Sequence, residues 1–128
     1  MQFLVGKKEH ELEFGVGFIR NIDEKYYIAD GGMKFGQGVT KATIGLLDEN
    51  LPVLVDTIQA AIPANISEKQ IEAALGVYAE EHDGDFEPLF KEVLEGLKGS
   101  SFTKGKVIKI ETRIKEAQAE AEAKMNSN

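Results

Sequence analysis

Gly15-Val16-Gly17, inside the stretch ELEFGVGFIRNIDEKY, falls where an alternating run gives way to a helical one, the place at which a phosphate-binding turn would sit. Such a cradle needs three glycines, spaced so that the backbone can turn, approach a pyrophosphate and pack a helix against a strand. Here Arg20 stands at the third position, and the preceding strand belongs to an antiparallel hairpin, so Asp30 lacks the βαβ unit that would make it a ribose partner. The two glycines are therefore read as the corner between a strand and a helix.

The acidic run EEHDGDFE, residues 80–87, gathers the hard oxygen ligands that calcium prefers, but its spacing fails. With Gly84 as the loop glycine, Ala79 occupies the first ligand position and Phe90 the place of the bidentate carboxylate. A solvated turn in which Asp85 caps the next helix fits these residues better. His10 and His82 have no cysteine or histidine partner at zinc spacing. Ser67, Ser100, Ser101 and Ser127 fall at caps, loops or the tail, outside any nucleophile elbow. With zero cysteines, disulfide and thiol chemistry drop out as well. No catalytic, cofactor-binding or metal residue is assigned, no cofactor is expected, and the chain is read as a non-enzyme.

The elements that would carry these residues are legible from their periods. Phe3 and Val5, then residues 9–14 with His10, Leu12 and Phe14 on one side, alternate around Gly6-Lys7-Lys8, as a short antiparallel hairpin does. From Val16 the period is helical, with Val16, Ile19 and Ile22 on one face and Arg20, Asp23 and Glu24 off it. Asp30-Gly31-Gly32, between two short mixed runs, predicts a second hairpin. Beyond Gly38 the chain reads as helices. Ile44, Leu47 and Leu51 lead into a segment opened by Pro52 with Val55, Ile58 and Ile62; Ser67 and Gln70 form a capping box ahead of Ile71, Ala74, Leu75 and Tyr78. Residues 86–97 carry the strongest apolar stripe, Gly99 ends it, and Thr103 is placed to cap a last helix of ~35 Å. The expected fold class is α+β, mainly α: an N-terminal β-hairpin and a second short β segment packed on about five helices. Residues 1–102 form the globular unit, 103–128 a C-terminal helix, and the alanine-rich end frays.

A length of 128 residues suits one domain that buries roughly two thirds of its unfolded surface. Hydrophobic residues make up 42% and charged residues 29%, the balance of a folded soluble chain. No apolar run approaches the ~20 residues of a membrane-spanning helix, so no membrane partner and a cytoplasmic location are expected. The net charge of −7 opposes binding to a nucleic-acid backbone. Its distribution is uneven: residues 80–95 hold seven acidic and one basic residue, while 96–128 hold four acidic and seven basic.

Two features point to a protein partner. Val107, Ile110, Ile114, Ala117 and Ala121 step by three and four, a narrow heptad-like seam. That helix either packs on its own domain or serves as an arm that docks on another chain. Phe86 and Phe90, ahead of it, are either groove walls or ordinary core. The candidate partner-binding residues are Val107, Ile110, Ile114, Phe86 and Phe90.

The order of these features resembles the tail assembly chaperone family encoded by long-tailed phages and prophages of Gram-positive bacteria. The pieces that carry the likeness are ELEFGVGFIRNIDEKY, GGMKFGQGVTKATIGLLDENLPVLVDTIQAA, SEKQIEAAL, FEPLFKEVLEGLK after an acidic turn, and a Lys-rich helix after SSFTKGKV, together spanning residues 1 to about 115. AQAEAEAKMNSN lies outside it. The resemblance implies a non-catalytic assembly factor of the host cytoplasm. Such a factor binds and solubilises the long, largely helical tape measure protein, recruits tail tube subunits and leaves before the virion is complete; self-association is compatible with it. A structural virion component, such as a head-tail connector or tail-terminator protein, is the alternative with the same size, charge and fold class.

Overall fold

The computed structural model describes residues 1–126, and among them two antiparallel strand pairs and six helices account for 13% and 64% of the chain. This is the expected α+β, mainly α fold, with six helices where about five were counted. β1 (Gln2–Val5) pairs with β2 (Lys8–Glu11), Phe3 opposite His10 and Val5 opposite Lys8. The two-residue turn places Gly6 at φ +62°, the sign that a type II′ hairpin turn needs at its first position. Phe3, Val5, Leu12 and Phe14 all point into the core.

α1 (Val16–Lys25) begins at Gly15, so the corner expected at the glycine pair is present, although neither Gly15 nor Gly17 has a positive φ or a close neighbour that would demand glycine. Of the expected face, Ile22 is buried and Ile19 packs half-buried against the core, and only Val16 turns outward. Phe18 and Ile22 are buried and Val16 is exposed, because Phe14, Phe18 and Ile22, four residues apart, form the stripe that meets the core; the Phe14 and Phe18 rings meet edge to face at 5.1 Å.

β3 (Tyr27–Asp30) and β4 (Met33–Gly36) form the second hairpin, with Ile28 opposite Phe35 and both turn glycines at positive φ, as Asp-Gly-Gly predicts. Gln37 N–H donates to Tyr26 O at 2.8 Å and closes its base. Asp23, read as merely off the core face, accepts from Gly38 N–H at 2.8 Å and so caps the next helix. Below the hairpin, Tyr26 Oη donates to Asp56 Oδ2 at 2.5 Å, and Lys25 reaches the same carboxylate at 3.3 Å. Burial first, then the bond to Asp56 and the charges of Asp56 and Glu68, push the Tyr26 hydroxyl above its ordinary titration range. The folded-state value is raised, so this contribution to stability is complete below the unfolded value of about 10 and is lost as the pH rises beyond it. Thermal melts at pH 8 and pH 11 should therefore show wild type losing more stability than Tyr26→Phe; equal losses would show that the bond to Asp56 is energetically idle.

α2 (Gly38–Leu47) and α3 (Leu51–Ala61) follow, then α4 (Glu68–Glu81), α5 (Glu87–Gly99) and α6 (Lys104–Asn126). Pro52 lies in the first turn of α3, with Asn50 accepting from Val53 N–H, and the Ser67–Gln70 capping box is complete on α4. Asp85 caps one residue early, accepting from Glu87 N–H while Phe86 takes the N-cap position of α5. α3 contributes Leu54, Val55, Ile58 and Ala61 to the core.

The stripe expected on α2 is not the buried one. Val39, Ala42, Thr43 and Leu46 face inward, whereas Ile44, Leu47 and the neighbouring Leu51 remain 40–46% exposed. The physical reason is crowding: α2 touches α1, α3, α5 and α6, and so many close neighbours favour small side chains over large ones. Thr43 is tolerated there because its hydroxyl donates to Val39 O at 2.7 Å.

Candidate functional site

The consequence of that inversion is a groove. Leu46 and Leu47 from α2, Phe90 and Leu94 from α5, and Glu111 from α6 line an open depression of about 610 Å³. The cleft between β1 and α4, lined by Leu4 and Val77, measures about 240 Å³. Leu46, Phe90 and Leu94 are buried and form an apolar floor; Leu47, 42% exposed, forms a lip that continues onto Ile44 one turn back on the same face of α2.

α6 is held in place as the groove wall by its first turns. Val107 is wholly buried and Ile110 nearly so, against α2 and α5. Thr103 does not cap α6 with its side chain as expected; its hydroxyl donates to Leu97 O at 2.5 Å and ties the end of α5 to the start of α6. From residue 115 to 126 α6 runs on as exposed helix, and the last of the alanine-rich end, Ser127 and Asn128, lies outside the described residues.

The rim is charged. Glu49, Glu87, Glu95 and Glu111 surround it with Lys91 and Lys98. Lys91 Nζ lies 2.8 Å from Glu87, and Lys98 Nζ lies 3.0 Å from Glu111 and 3.7 Å from Glu95. The hydrogen bond from Lys91, then its charge, holds the Glu87 carboxyl below the usual carboxylate range. Lys91 is correspondingly raised by its bond to Glu87, with the charges of Glu87, Glu49 and Asp85 adding to it. The ion pair between α5 and α6 thus has its lysine on α5 and its carboxylate on α6, opposite in sense to an acidic turn receiving a basic helix.

Of the five candidate residues, the structure brings only Phe90 to the groove. Val107 and Ile110 are buried beneath its wall, and Ile114, half-buried, sits one turn beyond Ile110. Phe86 packs elsewhere, half-buried and stacked at 5.7 Å on Tyr78, whose other neighbour is the His82 ring at 3.8 Å. The His82 Nδ1 lies 2.9 Å from Tyr78 O, which accounts for that histidine as part of the α4 terminus. Leu47 stands in the sequence only as one of the apolar residues that lead into the Pro52 segment, and Glu49 carries no signal at all.

Two further features bear on chemistry. Among the described residues, no group of three or more metal-ligating side chains is assembled, and no helix is long and apolar enough to cross a membrane. On the second hairpin, Ile28, Met33 and Phe35 share one face and are all exposed; the opposite face carries Tyr27 under Lys34, 4.6 Å from the ring centre, and rests at Gly36 on Asp23.

A family model described as phage tail assembly chaperone protein, TAC, matches residues 2–112. The matched span contains both hairpins, α1 to α5 and the packed turns of α6, hence the entire groove. No curated protein and no solved structure matches the chain.

Proposed function

The chain belongs to the phage tail assembly chaperone family, and from that premise we propose that it binds the tape measure protein and keeps it soluble until the tail forms around it. The single observation that carries this reading is the α2–α5–α6 groove, whose apolar floor and lip would take the apolar stripe of an amphipathic helix. A very long helical protein exposes such stripes until it is assembled, and covering them one groove at a time opposes aggregation. Tail tube subunits and a second copy of the chain belong to the same proposal as later partners. The work is done in the host cytoplasm, by binding alone.

Co-expression with the phage's tape measure protein tests this. Wild type should hold the partner in the soluble fraction and co-elute with it, and the double variant Ile44→Ser, Leu47→Ser should release it while melting like wild type, since both residues are half-exposed. A wild-type chain that leaves the tape measure protein insoluble, or a double variant that still co-elutes, would overturn the assignment of the groove.

A further inference from the structure

The groove is apolar at its floor and predominantly acidic at its rim, and the imbalance specifies its occupant. Four carboxylates face two ammonium groups; Lys91 and Lys98 are already engaged by Glu87, Glu95 and Glu111, and Glu49 makes no ion pair among the described residues. We propose that the groove selects an amphipathic helix of the partner whose apolar stripe is bordered by Lys or Arg, with Glu49 as the residue that reads the charge. This rests on the groove being the tape measure site.

Glu49 sits where a side chain is costly. α2 ends in a Schellman arrangement, with Asn50 N–H donating to Gly45 O at 2.8 Å and Glu49 N–H to Leu46 O at 3.2 Å. The position after the C-cap is then left-handed, and glycine is its usual occupant; here Glu49 adopts φ +53°. A carboxylate held in this position on the lip of an apolar groove, near enough to Lys91 for its charge to be felt but not paired with it, is placed to meet an incoming cation. The α6 of a second copy is the rival occupant, since Ile114, Ala117, Ala121 and Met125 step at helical spacing along its outer half, but that stripe is mostly alanine and is accompanied by Glu116, Glu120 and Glu122, which an acidic rim disfavours.

The test uses two synthetic helical peptides of roughly 18 residues with the same leucine stripe, one flanked by Lys and one by Glu. Wild type should bind the Lys-flanked peptide about tenfold more tightly, a preference of the size one or two partly screened ion pairs supply, and it should fade with added salt. Glu49→Gln should remove most of the preference, whereas Glu72→Gln, an equal charge change on the exposed side of α4, should not. Glu49→Gly should also lose the preference while raising the melting temperature, because the strain disappears with the side chain. Equal affinity for both peptides, both lost in Ile44→Ser, Leu47→Ser, overturns the charge reading and leaves the groove standing. Failure to bind either peptide, or concentration-dependent oligomers of wild type abolished by Glu49→Gln, overturns the proposal outright.

Discussion

A chain lacking residues 104–128 is expected to lose its cooperative melt near the wild-type temperature, while one lacking only residues 115–128 should melt within a few degrees of wild type. The two deletions share the exposed end of α6 and differ in its packed turns. Burying Val107 and Ile110 contributes about 1.5–3 kcal/mol each, and removing them uncovers a comparable apolar area on α2 and α5. A loss on the order of 5–10 kcal/mol is most of the stability of a domain this size. Among the described residues, 115–126 are exposed throughout, and exposed side chains of this kind contribute little. Thermal melts of both truncations give the answer, with circular dichroism reporting how much helix survives. An intact melt for the longer deletion would make residues 103–128 the separable arm that the narrow seam suggested. The expected result instead joins the first turns of α6 to the body and frees only the rest.

Where the sequence was readable, a local rule decided the outcome. Ser67 and Gln70 satisfy each other's backbone partners without help from any other element, and Asp30-Gly31-Gly32 supplies the positive φ values of its turn. Leu89, Phe90, Val93, Leu94 and Leu97 form so strong a stripe that α5 can face only the core. α2 was misread because its burial is decided by four neighbouring helices, none of which its own period reveals. The core there is made of Val39, Ala42, Thr43 and Leu46, while Ile44 and Leu47 form the lip of the groove.

The groove itself is harder to read for the same reason. It exists only where α2, α5 and α6 meet, so its members are separated by tens of residues and spread over three helices. Glycine usually announces a helix end of the kind found after α2, and Glu49 in its place conceals both the turn and the charge. Thr103 misled in the opposite sense: a residue type suited to capping spends its hydroxyl on the preceding helix. Family resemblance bridged this gap because it depends on the order of many weak features and not on any one of them.

Phe90 is the position at which fold and function are inseparable, and its substitution is expected to have the largest single-residue effect in the groove. It is 3% exposed, belongs to the apolar core and also lines the groove floor. Phe90→Ala should cost about 3–5 kcal/mol, the transfer of the ring plus the cavity it leaves. It should also release the tape measure protein, since the floor that receives the stripe would be hollow. A lost interaction in Phe90→Ala could follow from partial unfolding alone, so the comparison with Phe90→Leu decides. Leucine keeps an apolar floor at lower volume and should recover most of the melting temperature. If the groove is the site, Phe90→Leu restores folding with reduced partner retention, whereas Ile44→Ser, Leu47→Ser loses retention with folding untouched. Melts and co-elution measured on all three variants separate floor from lip. Full retention by Phe90→Leu together with full retention by the lip variant would place the partner on another face, with the uncovered Ile28, Met33 and Phe35 face of the second hairpin next to be tested.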